Sequence, residues 1–120
     1  VQQPHPPILI GGGSPRLLAV AAREADIVGI TTRARANGDK DTTDLTAAAT
    51  ARKLGWIREA AGARFASIEL NAVVGDVVPT ADIAGEAARL ASRYGVTPDE
   101  IRDSPLILLG SVGEMAERLQ

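Results

Sequence analysis

The chain has 120 residues, of which 45% are apolar but only 2% aromatic, a formal net charge of −2, a single histidine and no cysteine. Without cysteine there are no disulfides or thiolate metal sites, and one histidine removes the usual zinc sets. No apolar run approaches the ~18–20 residues that span a bilayer, no basic, aromatic-interleaved patch points to nucleic acid, and the polar "VQQPHPP" lead is not a secretory signal. One domain at most is expected, in the cytoplasm, with Leu, Ile and Val filling the core. That composition suits parallel strands buried on both faces.

In chain order, the prolines at 4, 6 and 7 predict an extended lead. Ile8-Leu9-Ile10 reads as a short buried strand, followed by Gly11-Gly12-Gly13. Ser14 is placed to cap a helix and Pro15 to open it. That helix presents Leu17, Leu18, Ala21, Ala22 and Ala25 on one face and leads through Asp26 into the strand Ile27–Ile30. Strand, helix and strand so closely spaced make a βαβ unit with a right-handed crossover. Residues 32–50 carry mixed charges and an Asn37-Gly38 turn signal and predict a long loop, functional or disordered. A helix follows over about 51–61, with Leu54, Ile57 and Ala61 on one face and Gly62 as its stop.

Residues 67–78 predict one strand bent at Gly75. The next helix, over 82–94, carries Ile83, Ala87, Leu90, Ala91 and Tyr94 at the helical period and ends at Gly95. Thr97-Pro98-Asp99-Glu100 is a capping box opening a short helix that Ser104-Pro105 stops. Leu106–Leu109 is another buried strand. Ser111 and Glu114 form a second capping box, for a helix with Val112, Met115, Ala116 and Leu119 on one face. Four parallel strands alternating with helices define an α/β fold. The chain opens at Val1 and ends at Gln120 inside a helical pattern, which predicts a piece of a longer protein.

The leading site candidate is Gly11-Gly12-Gly13-Ser14, at the end of a strand and the start of a helix. Bare backbone there admits either a tight turn with positive φ or close approach of an anionic ligand to free N–H groups. It is not a dinucleotide fingerprint, because Arg16 occupies the third glycine position and Asp26 precedes the second strand. It is not a P-loop, because Gly-Lys-[Ser/Thr] is absent. Gly110-Ser111 reads as a cap, His5 as an exposed linker residue, and Trp56 and Tyr94 as packing. Arg33, Arg35 and Lys40 read as a solvated charge run that an anion could meet. Glu69 and Asn71 share the polar face of their strand. No nucleophile triad, metal cluster or catalytic carboxylate pair stands out, so the catalytic residues are unknown.

"PPILIGGGSPRLLAVAAREADIVGI", "WIREAAGARFASIELNAVV" and "PLILLGSVGEMAERL", in that order, resemble the luciferase-like monooxygenase superfamily, and within it the flavin- or deazaflavin-dependent oxidoreductases. The resemblance covers nearly the whole chain. It implies the C-terminal half of a TIM-like (β/α)8 barrel, about four strands completed by further segments or by homo-oligomerisation. It also implies FMN or the deazaflavin coenzyme F-420 as cofactor and a small organic substrate, with Gly11, Gly12, Gly13 and Ser14 cradling the cofactor phosphate. The residues that contact the cofactor ring in relatives precede this stretch, so the chain alone is expected to be inactive. The alternatives are a non-catalytic α/β half-barrel module or a small Rossmann-like nucleotide-binding domain.

Overall fold

In the computed structural model, which describes residues 3–119, the first βαβ unit is β1 (Leu9–Gly12), α1 (Pro15–Glu24) and β2 (Ile27–Ile30). Ser14 is the extended N-cap and accepts a hydrogen bond from the Leu17 N–H at 3.3 Å, with Pro15 at the first helical position. β1 runs further than its apolar residues: Gly11 and Gly12 are ladder residues, paired in parallel with Gly29 and Ile30. The other end of α1 is held by Arg64, whose guanidinium donates to the carbonyls of Ala22 and Ala25 at 2.8 and 2.6 Å. A cation there satisfies orphan carbonyls and complements the helix dipole.

Residues 32–50 are not one open loop. Ala34 and Lys40 form an antiparallel bridge around Gly38, at φ 90°. A 3-10 turn follows at Thr42–Leu45, and α2 (Ala47–Ala61) begins four residues earlier than predicted. Thr46 is the reason, because its hydroxyl accepts the Ala49 N–H at 3.2 Å.

The strand predicted over 67–78 is two strands, so the described residues form five. β3 (Glu69–Ala72) lies parallel to β2, completing a three-stranded sheet in the order β1-β2-β3. β4 (Asp76–Pro79) pairs in parallel with β5 (Ile107–Gly110) in a second sheet. The break lies where hydrogen bonding changes partner: the Val73 N–H reaches the Ile30 carbonyl at 3.3 Å, and the Gly75 N–H donates to Leu106 at 2.7 Å. The protein is therefore α/β with parallel strands alternating with helices, and the described residues form no closed barrel.

Helix α3 (Ile83–Tyr94) is capped by Asp82 and ended by Gly95 at φ 71°. Helices α4 (Pro98–Asp103) and α5 (Val112–Glu117) both open on complete capping boxes. Of the face expected for α5, Met115 is buried, whereas Val112 and Leu119 are exposed. A helix of six residues packed on β5 has room to bury little more.

Two apolar clusters result. One holds Leu18, Ala21, Ala22, Val28, Ile30 and Ile57, with α1 and α2 side by side. The other gathers Leu45, Ala87, Leu90, Ile101, Ile107 and Leu109. Leu45 comes from the 32–50 segment, and fully burying such a side chain is worth roughly 1.5–3 kcal/mol. Ser104 Oγ donates to the Leu45 carbonyl at 2.6 Å and Thr42 Oγ1 to that of Tyr94 at 3.2 Å. The segment thus ties the end of β2 to the second cluster.

Candidate functional site

The three glycines lie at the C-terminal end of β1, and none has a positive φ; Gly38, Gly62, Gly95 and Gly110 are the described glycines that do. The positive-φ turn is therefore excluded, and close approach explains the bare backbone. Gly11 faces Gly29 across the ladder, where a methyl added at Gly29 would stand 3.2 Å from Gly11 Cα. A methyl on Gly12 would come within 2.5 Å of Leu17 Cδ2. One on Gly13 would stand 2.6 Å from Arg33 N and from the Thr32 carbonyl carbon and oxygen. The chain itself presses on Gly12 and Gly13.

The amides beyond them remain open. Among the described residues, the N–H groups of Gly13 and Ser14 have no hydrogen-bond acceptor. Pro15 has no N–H, and that of Arg16 lies in the unsatisfied first turn of α1. Ser14 Oγ accepts from Leu17, which leaves its own hydrogen free to donate. This end of α1 offers donors and positive dipole to an anion.

The second strand-to-helix turn shows what closure looks like. At Gly110-Ser111, Glu114 Oε2 accepts the Ser111 N–H at 2.8 Å and its hydroxyl at 2.7 Å. These two bonds, the hydroxyl's first, lower the pKa of the Glu114 carboxyl. An internal carboxylate thus occupies the N-terminus of α5. In α1 the equivalent position is Leu17, and the first turn has no acidic residue.

The other candidates fall elsewhere. Ile10, Val28 and Ile30 face the helices. By the two-residue alternation, Leu9, Gly11, Gly29, Glu69 and Asn71 face the opposite side. There Asn71 is in register with Gly29, and Glu69 with Ile27. Both polar residues are exposed, as are Leu9 and Val77. Arg33 and Arg35 each lie 3.3 Å from Asp41, and Thr43, ahead of the two arginines, holds the Asp41 carboxyl down at about 2. Lys40 is exposed beside them, and His5 is exposed on the lead. Trp56 packs against the first cluster.

Tyr94 packs against the second cluster and donates its hydroxyl to Asp76, beside Arg93. Burial, and then the Asp76 hydrogen bond, raise its pKa above the usual phenol value. Tyr94, Asp76, Lys40, Thr31 and Thr42 line a cavity of about 290 Å³ between the two halves. Thr32 lines it too and also touches Gly13, so the cavity adjoins the glycine turn.

Sequence reasoning missed Asp44 and Lys53. Both are buried, with Lys53 Nζ 2.6 Å from Asp44 Oδ2. The available signal was the spacing Ala49–Lys53–Ile57, which puts the lysine on the buried stripe of α2. Among the described residues no group of three or more His, Cys, Asp or Glu side chains could hold a metal ion, and no helix is long and apolar enough to cross a membrane. Compared with protein-family models, curated proteins and solved structures, the chain matches none.

Proposed function

We propose that the chain is part of a flavin- or deazaflavin-dependent oxidoreductase of the luciferase-like kind, and that the turn after β1 holds the phosphate of FMN or of the deazaflavin coenzyme F-420. One observation carries the reading. The N-terminus of α1 is uncapped by any carboxylate and presents the Gly13, Ser14 and Arg16 amides with the Ser14 hydroxyl. These donors fit a phosphate, which would take the place that Glu114 takes at α5. Gly11 and Gly12 contribute by letting β1 pack close to Gly29 and Leu17.

The strand order supports the barrel form over the Rossmann alternative. Dinucleotides bind where the strand order reverses beside the first strand. Here β4 follows β3 and pairs with β5, and no described strand lies on the free edge of β1. The bound cofactor would supply hydride transfer to a small organic substrate, or oxygen chemistry on reduced FMN. This chain would bind the phosphate, orient the cofactor and shield it from water. The remaining strands of a TIM-like (β/α)8 barrel would come from further segments or a second copy, covering the open face that carries Leu9 and Val77.

Fluorescence titration of the intact protein with FMN, and separately with the deazaflavin coenzyme, tests the reading. Saturable binding of one is expected, and binding of neither refutes it. Inorganic phosphate bound without either coenzyme would favour the non-catalytic module. Leu17→Glu sharpens the test by placing a carboxylate where α5 has Glu114. It should leave α1 as stable or slightly more so, by about 0.5 kcal/mol, while weakening coenzyme binding at least tenfold.

A further inference from the structure

A lysine in the core of a small α/β protein needs a reason. Lys53 is 1% exposed and Asp44 5%. Taking two charges out of water costs enough that an apolar pair of similar volume is often no less stable. Filling space therefore does not account for them. Their hydrogen bonds point to another role. Lys53 Nζ spends its three donors on Asp44 Oδ2 at 2.6 Å, the Asp44 carbonyl at 3.1 Å and the Thr31 carbonyl at 2.9 Å. Asp44 Oδ2 also accepts the Arg33 N–H at 2.8 Å. Arg52, largely exposed, also lies 3.9 Å from Asp44 Oδ1.

The pair thus grips the backbone on either side of Thr32. Thr31 is held through its carbonyl and Arg33 through its amide, and Thr31 also donates its N–H to the Gly12 carbonyl at 3.1 Å. The peptide between them is the wall against Gly13: its carbonyl and the Arg33 nitrogen are the atoms that an added methyl would strike. We infer that Lys53 and Asp44 are positioning residues for the phosphate turn. They set the Thr31–Arg33 wall that fixes the direction of the Gly13 and Ser14 amides. The inference rests on reading that turn as a phosphate site. It assigns a second layer of the site to α2 and to the segment before it, neither of which touches the phosphate.

The test compares each coenzyme with its phosphate-free counterpart: FMN with riboflavin, and the deazaflavin coenzyme with its chromophore alone. A structural defect weakens both members of a pair, whereas a misdirected phosphate turn weakens only the phosphorylated one. The variants are Lys53→Met and the double replacement Lys53→Met with Asp44→Leu. The double variant keeps the volume filled and leaves no buried charge unpaired. In the intact protein, the preference for the phosphorylated ligand should fall on the order of tenfold or more, with affinity for the phosphate-free ligand retained. An unchanged preference in the folded double variant overturns the inference. If the unsubstituted protein shows no phosphate preference, the reading of the turn itself fails, and the inference with it.

Discussion

Adding one methyl group to Gly13 separates two explanations of the glycine run. The new Cβ would stand 2.6 Å from three backbone atoms, Arg33 N and the carbonyl carbon and oxygen of Thr32. None of them belongs to a side chain that can rotate away. The Thr31–Arg33 segment is also pinned by Lys53 and Asp44, so relief requires the segment and its buried ion pair to shift together. Overpacking of this kind costs about 2–3 kcal/mol, the upper part of the usual range. Gly12→Ala is the internal control. The three atoms nearest its methyl all belong to Leu17, a side chain 41% exposed that can swing outward. Neither glycine has positive φ, so alanine also gains ~0.4–1 kcal/mol from a stiffer unfolded chain, and Gly12→Ala should be close to neutral. In urea, with m of about 1.5 kcal/mol/M, the net loss of about 1–2.6 kcal/mol should lower the Gly13→Ala midpoint by about 0.7–1.7 M at unchanged m. Two probes, far-ultraviolet circular dichroism and Trp56 fluorescence, should report coincident transitions. A Gly12→Ala loss equal to or larger than that of Gly13→Ala would refute the argument that the pinned Thr32–Arg33 backbone is what requires glycine.

Two further predictions concern titration. Tyr94 is the sole tyrosine, so phenolate absorbance reports it alone. Its midpoint in the folded protein should lie above 10 and fall back toward that value in Asp76→Asn, which removes the charged acceptor but not the burial. Because the folded pKa is raised, the stability linked to Tyr94 is complete below pH 10 and is lost as the pH rises through the folded value. Asp41 behaves in the opposite sense. Its carboxyl titrates at about 2, against an ordinary 3.8, held there by Thr43 first and then by Arg35 and Arg33. The Arg35 and Gly38 amides should therefore stay protected from hydrogen exchange down to about pH 4 and lose protection as the pH falls toward 2. Protection unchanged at pH 2 would count against the Asp41 contacts.

What the chain spells out locally is what could be read from it. Ser14 with Pro15, Thr97 with Pro98 and Glu100, and Ser111 with Glu114 each act within four residues. These helix starts are where the pattern put them, because a cap needs only its own first turn. Gly95 ends its helix for the same local reason, as the residue that can turn left-handed there. The α/β alternation followed from the apolar periods, and the turn after β1 could be singled out because glycines and a cap stand together.

Tertiary contacts decided the rest. The division of 67–78 into β3 and β4 depends on the carbonyls of Ile30 and Leu106, one before and one after that segment and far from it in sequence. The burial of Lys53 is intelligible only once Asp44 and the Thr31 carbonyl are beside it. The glycines show the division within a single motif. Their presence after a strand marked the turn from sequence alone. That Gly12 yields to Leu17 and Gly13 to the Thr32–Arg33 backbone, with the next amides left open, is set by what folds against them. Propensities and caps are written within a turn of chain. Close approach depends on which distant segment arrives there.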